Sequence, residues 1–240
     1  MSERSPQRRA ARLLAGVALC CLTVLPGLAE EVKGPNTEPL AKGTPGAVAT
    51  LALAHELFTL GRAHGDPLTV LAAARLAASV EAERREDNGK ALKRSTSGEE
   101  GEPAPTPAQP PATAAEMFDL ALTLAGQDAF LTDVILDARD AGARGRIGGA
   151  FSQSASLASG RTDSWEIPFT GGAYAELSVL GGGSTDLDIV VTDENGNVIC
   201  FEGGGSDSFY CDFVPSWDGF FYVAVENRGG SPAAYDLITN

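Results

Sequence analysis

Residues 186–200 read DLDIVVTDENGNVIC, and this stretch decides the fold. Leu187, Ile189 and Val191 occupy every second position, which is the period of a β-strand with one buried face. Asn195-Gly196 follows, and this dipeptide favours a tight hairpin turn because both residues tolerate positive φ angles. The stretch therefore predicts a strand, a turn and the beginning of a second strand.

The same two-residue period continues through residues 146–240, where glycine-containing turns separate the apolar runs. The alternating sets are Trp165, Ile167 and Phe169; Ala175, Leu177 and Val179; Phe209, Cys211 and Phe213; Phe221, Val223 and Val225; and Tyr235, Leu237 and Thr239. One more strand is expected around residues 150–157. About eight short strands predict an antiparallel β-sandwich of jelly-roll type.

The preceding region has the period of helices. In residues 47–94, apolar residues recur at three- and four-residue steps, and Asp66-Pro67 supplies an N-cap followed by a first-turn proline. After the next segment, Thr113 and Glu116 form a capping box ahead of a second helical pair. The expected fold class is therefore α+β in separate domains, with a small helical-hairpin or four-helix unit followed by the jelly-roll-like sandwich.

Composition sets the remaining boundaries. The first 29 residues combine four arginines, an apolar run from Leu13 to Leu25 and a small-residue exit at Ala29, which predicts a secretory signal peptide. A retained membrane anchor is the alternative, although the run is short for a bilayer. The domains expected are 1–29 signal peptide, 30–46 flexible leader, 47–94 helical hairpin, 95–112 disordered Pro/Glu-rich linker, 113–145 second helical hairpin and 146–240 β-sandwich.

Four cysteines are present, and Cys20 and Cys21 lie in the predicted signal peptide. The remaining two, Cys200 and Cys211, are expected to form a disulfide, because exported proteins occupy an oxidising space. Free thiols or a redox-active pair are the alternative, which no CxxC spacing supports. With a turn at residues 204–207, the two cysteines would lie opposite each other across a hairpin. The expected location is the periplasm or the extracellular space.

The chain is acidic, with 18 Lys and Arg against 32 Asp and Glu and a net charge of -14. Nucleic acid is a poor partner for such a chain, because affinity for phosphate backbones comes from clustered basic residues. Calcium is the one cofactor that the carboxylates suggest, since hard cations prefer oxygen ligands. Turn roles and solvent-facing strand positions are the alternative for the same side chains. The candidate calcium ligands are Asp163, Asp186, Asp188 and Asp193.

Catalytic patterns are missing from the sequence. The two histidines, His55 and His64, lie nine residues apart and therefore on opposite faces of one helix. The predicted sandwich has no histidine, which excludes serine triads and histidine zinc sites there. We therefore expect no enzyme activity and no catalytic residue. Trp217 is a candidate surface contact for a protein or polysaccharide ligand.

The run from Asp163 to Thr239 resembles the bacterial pre-peptidase C-terminal domain, a β-sandwich at the ends of many secreted proteases. The matching segments are 163–167 (DSWEI), 186–197 (DLDIVVTDENGN), 219–227 (GFFYVAVEN) and 234–237 (AYDL). The resemblance implies an accessory module that binds insoluble protein or carbohydrate or assists secretion, and some relatives bind calcium.

The function expected from these observations is that of an exported, non-catalytic binding or interaction protein. After removal of the signal peptide no stable membrane insertion is expected, because no later segment is long and apolar enough. Three alternatives remain open. They are a calcium-binding envelope protein, a weak hydrolase that uses carboxylates alone, and a regulator or accessory chain of a secreted protease.

Overall fold

A computed structural model describes residues 33–39, 43–84, 92–98, 108–141, 147–183 and 185–240. The helices are α1 (Ala47–His64), α2 (Pro67–Ala78), α3 (Ala114–Ala125) and α4 (Ala129–Asp140). The strands are β1 (Val80–Arg84), β2 (Lys93–Ser97), β3 (Ile147–Leu157), β4 (Thr162–Phe169), β5 (Ala175–Gly181), β6 (Leu187–Asp193), β7 (Val198–Glu202), β8 (Ser208–Phe213), β9 (Gly219–Asn227) and β10 (Ala233–Thr239). The signal peptide and residues 99–107 of the predicted linker lie outside the described residues.

The strands form two five-stranded sheets. Sheet A has the order β1-β3-β10-β5-β8, and sheet B has the order β2-β4-β9-β6-β7. Strand pairs are antiparallel except for β1 and β3, which run parallel. The fold is therefore α+β and contains a β-sandwich.

Alternate side chains of both sheets meet in the sandwich core, as the two-residue period predicts. Trp165, Phe221 and Tyr235 are among the largest fully buried side chains. Phe169 contacts Phe213 edge to face, with ring centroids 5.4 Å apart. Complete burial of one large apolar side chain stabilises a fold by about 1.5–3 kcal/mol, so this shared core holds the two sheets together.

The helices form two hairpins that pack on each other. Gly65 ends α1 in the left-handed conformation, and the Asp66 side chain then caps α2 by accepting a hydrogen bond from the Leu68 N–H. Thr113 and Glu116 form the predicted capping box of α3. Side chains from all four helices share one apolar cluster, which includes Phe58, Val70, Leu71, Met117, Phe118 and Ile135.

Helix α1 packs on the outer face of sheet A. Val48 and Ala47 of α1 share an apolar cluster with Leu180 and Ile238 of the sheet. Strand β5 is consequently buried along its whole length, with the sandwich core on one face and α1 on the other. Residues Lys33–Asn240 form one compact unit, so the expected separation of the helices from the sandwich is corrected.

In residues 80–97 the structure differs from two further predictions. The segment Val80–Arg84, expected in the first helical hairpin, is the edge strand β1 of sheet A. The segment Lys93–Ser97, placed across the hairpin and the disordered linker, is the edge strand β2 of sheet B. All five β2 side chains are exposed or nearly so, and edge strands of this kind lack the apolar alternation that identifies a strand. No helix in the described ranges is long and apolar enough to cross a membrane.

Candidate functional site

The predicted disulfide between Cys200 and Cys211 is confirmed, but its expected position across a hairpin is wrong. Cys200 lies on β7 of sheet B and Cys211 on β8 of sheet A, with their Cα atoms 6.2 Å apart. β7 pairs with β6, and β8 pairs with β5. The connection between the two cysteines therefore passes from one sheet to the other, and the bond links the two sheets at one edge of the sandwich.

The four aspartates proposed as calcium ligands do not meet. Asp186 precedes β6 and Asp193 ends it, and seven residues of extended strand span about 23 Å. Within the part of the chain that the structure describes, no group of three or more His, Cys, Asp or Glu side chains is placed to hold a metal ion. The aspartates instead lie in separate surroundings.

Asp163 is fully buried in a hydrogen-bonded network at one end of the sandwich core. Its carboxylate pairs with Arg94 of β2 at 2.7 Å and accepts hydrogen bonds from the Tyr235 hydroxyl at 2.6 Å and the Thr96 hydroxyl at 2.5 Å. The Trp165 indole N–H donates to the Tyr235 hydroxyl at 2.8 Å. Burial, and then the Asp163 charge, raise the pKa of Tyr235. The network fills the acceptor positions of Asp163 with protein donors.

Asp193 organises the turn after β6. It accepts hydrogen bonds from the backbone N–H groups of Asn36, Asn195 and Asn197 and from the Asn197 side chain. Burial acts to raise the pKa of Asp193, but these hydrogen bonds outweigh it and hold the pKa below its ordinary value. Asn36 is itself fully buried and also bonds the Trp217 backbone. The predicted flexible leader is therefore fixed in place at residue 36.

Asp186 and Asp188 lie near Arg228, at the beginning of β6. The Arg228 guanidinium contacts Asp188 at 3.5 Å and Glu226 at 3.0 Å. The Asp186 backbone carbonyl accepts a hydrogen bond from the Arg228 N–H at 2.9 Å, while its Oδ1 atom is buried without a partner in the described residues. Hydrogen bonding to Glu226 raises the pKa of Arg228. This end of the sandwich therefore carries surface ion pairs and one buried carboxylate oxygen without a partner in the described residues.

An exposed apolar surface covers part of the outer face of sheet B, and we call it the β7–β9 patch. It consists of Val198, Phe201 and Phe220, which are 61%, 65% and 48% exposed. Trp217, the candidate surface contact, lies in the loop before β9 and is 38% exposed. Its indole N–H donates to Glu194 at 2.5 Å. The tryptophan therefore presents ring surface while its polar atom is already bonded.

His55 occupies a site that the sequence analysis did not identify. It is 3% exposed on α1, whereas His64 at the end of the same helix is exposed. The imidazole lines one cavity of about 370 Å³ and a second of about 220 Å³. Burial lowers the pKa of His55, although Asp207 and Asp236 partly oppose this shift. The cavities form where residues 109–113 fold back beside α1 and sheet A, which no local pattern predicts.

Comparison with known proteins shows structural similarity but no family match. No protein-family model matches the chain, and no curated protein matches it. Among solved structures, the chain is similar to the pre-peptidase C-terminal domain of a collagenase from Bacillus anthracis, with 16% sequence identity and a TM-score of 0.24. The match covers 38% of this chain and 76% of that one.

Proposed function

We propose that the protein is an exported, non-catalytic binding protein whose ligand docks on the β7–β9 patch. The observation that carries this proposal is the exposure of two phenylalanines and a valine on the outer face of sheet B. Helix α1 covers apolar side chains on the outer face of sheet A. Exposed apolar patches of this kind typically mark interaction surfaces.

The strand register places the three side chains on one face of sheet B, with Phe220 two residues before Tyr222 along β9. Val198 pairs with Thr192, which pairs in turn with Tyr222. Phe201 pairs with Val190 in the neighbouring row. Two strand spacings separate the ends of such a row, which is about 10 Å. A ligand on this surface therefore contacts three adjacent strands.

The ligand that we favour is an extended polypeptide. β7 lies at the edge of sheet B, so one side of its backbone pairs with no strand of the described ranges. An extended peptide can add to such an edge through backbone hydrogen bonds and place alternate side chains on the sheet face. Glu194 and Glu202 lie close to the patch along the chain, and the protein is acidic overall. These charges favour a neutral or basic peptide over an acidic one.

We infer a jelly-roll topology from the order of the strands. Numbered from β3 to β10, the strands stand in the order one, eight, three, six in sheet A and two, seven, four, five in sheet B. This order supports a jelly roll built from two antiparallel sheets. The likeness to the pre-peptidase C-terminal domain rests on the sequence motifs. Export to the periplasm or beyond is supported by the signal-peptide pattern and by the disulfide.

Photo-crosslinking to the exported fraction of the producing cell tests the proposal. We expect the wild-type protein to capture a discrete polypeptide and the Phe201→Ser variant to lose it. Phe130→Ser is the matched control, because Phe130 is 79% exposed on α4, away from sheet B. Equal capture by both variants would contradict the docking surface. Hydrolysis of a protein or polysaccharide by the purified chain, abolished by one substitution, would contradict a non-catalytic role.

A further inference from the structure

The surroundings of His55 indicate a small-molecule site between α1 and sheet A. The side chain lies between two cavities, of about 370 Å³ and 220 Å³. The larger one falls within the volume range of small-ligand sites. Its apolar lining includes Phe58 and Leu120, and its backbone lining includes Gly182. None of these residues belongs to the β7–β9 patch.

The imidazole has one nitrogen without a partner. The Gly181 backbone lies beside the ring, while Nε2 is buried and has no partner in the described part of the chain. A neutral imidazole that donates from one nitrogen offers a lone pair at the other. Buried polar atoms nearly always have partners, so Nε2 points to a ligand that donates a hydrogen bond here.

Arg62 supplies a cation to the larger cavity. It follows His55 by seven residues, which places it on the same face of α1 and about 10.5 Å farther along the helix. Its guanidinium lies over the Phe58 ring at 5.5 Å, and no carboxylate of the described residues pairs with it. Glu116, which lines the same cavity, accepts two hydrogen bonds from Thr113 at its Oε2 atom and forms no ion pair with Arg62. Arg62 is therefore free to bind an anion, and its planar fork suits a carboxylate.

We propose that this cavity binds the C-terminal end of a short peptide. The peptide carboxylate pairs with Arg62, a backbone N–H donates to Nε2 of His55, and an apolar side chain lies against Phe58. The separation of the two polar groups along α1 matches about three extended residues at about 3.3 Å each. A peptide terminus combines a carboxylate, N–H donors and an apolar side chain at this spacing.

Calorimetric titration with acetyl-Ala-Ala-Leu tests the carboxylate contact. We expect saturable binding of the free acid. The C-terminal amide should bind at least about tenfold more weakly, because it cannot form the charge-assisted pair. Arg62→Gln should weaken binding of the acid by a similar factor. Arg75→Gln, an exposed arginine on α2, is the control and should bind like the wild type. Equal affinity for acid and amide, equal effects of the two variants, or no binding would overturn the proposal.

The histidine contact is tested in the wild-type protein, because variants of a buried residue can fail to fold. Two-bond ¹H–¹⁵N correlation of the imidazoles should show a saturable shift of His55 Nε2 when acetyl-Ala-Ala-Leu is added, and no shift of His64. A His55→Leu variant that retains the wild-type circular dichroism should lose binding, whereas His64→Leu should retain it. Binding without a His55 shift, or full affinity in a folded His55→Leu protein, would overturn the assignment.

Discussion

Replacing Tyr235 by Phe removes one hydroxyl from the buried network and should lower the free energy of unfolding by about 3 kcal/mol. The hydroxyl donates to Asp163 at 2.6 Å and accepts from the Trp165 indole at 2.8 Å. The bond to the charged acceptor contributes about 1.5–3 kcal/mol, and leaving the buried indole N–H unsatisfied costs about 1–3 kcal/mol. We take the lower half of the combined range, because Arg94 and Thr96 continue to hold Asp163.

Guanidinium unfolding followed by tryptophan fluorescence measures this loss. Tyr222→Phe is the matched control, because its hydroxyl lies on the outer face of sheet B and the described residues give it no hydrogen-bond partner. The Tyr235→Phe curve should move to lower denaturant with an unchanged slope, which identifies a change in stability alone. A loss below about 1 kcal/mol, or one equal to that of the control, would refute this account of the network. A loss that disappears on adding calcium would instead favour a metal at Asp163.

Three further perturbations are expected to act through separate parts of the structure. Replacing both Cys200 and Cys211 by Ser opens a loop with a sequence separation of 11 and should lower the free energy of unfolding by about 2.8 kcal/mol in the chain-entropy account. Denaturant midpoints equal to those of the oxidised wild type would contradict this expectation. The pKa of Asp193 is lowered in the fold, so its contribution is complete at neutral pH and lost as the pH falls through the folded pKa. The stability penalty of Asp193→Asn, measured by denaturation, should therefore shrink below about pH 4, and a constant penalty would argue against the hydrogen-bonded carboxylate. Burial lowers the pKa of His55 from 6.5, so the wild type should lose stability as the pH falls below that value, by at most about 1.4 kcal/mol per pH unit. His55→Gln should flatten this pH dependence of the free energy of unfolding. An unchanged slope in the variant would contradict the buried neutral imidazole.

The alternating strands could be predicted because each has one face in the core. In β6 the apolar residues point inward and every second position is less buried. The caps of α2 and α3 could likewise be predicted, because Asp66 and Thr113 act on backbone groups only two or three residues away. In all these cases the deciding interaction is local, or it depends only on which face is buried.

The pairing of the cysteine strands could not be predicted from the same patterns. Consecutive strands usually pair, and a glycine-rich turn between β7 and β8 favours a hairpin. Both strands already have other partners, β6 and β5, in different sheets. Sheet membership depends on the whole strand order, so the sequence predicts that the cysteines meet but not how the chain connects them.

The hydrogen-bond partners of the aspartates could not be predicted from the sequence either. Asp163 differs little in its sequence surroundings from an ordinary turn aspartate, yet its partners Thr96 and Tyr235 lie 67 and 72 residues away. A carboxylate that bonds to protein donors and one that awaits a metal look the same in a sequence. The unpartnered nitrogen of His55 is hidden for the same reason, because helical spacing separates the two histidines but does not show which face is covered.

Strand β2 explains why the sandwich depends on the region that precedes it. The segment between α2 and α3 gives one edge strand to each sheet, and β2 brings Arg94 to the fully buried carboxylate of Asp163. Removing one partner of such a pair leaves an uncompensated charge in the core. On the other sheet, Glu176 accepts hydrogen bonds from the Gly46 and Ala49 N–H groups and so caps α1 from the sandwich side. The sandwich and the helices thus satisfy each other's buried polar groups, and the stretch that carries the family resemblance needs residues from outside itself to neutralise its own core.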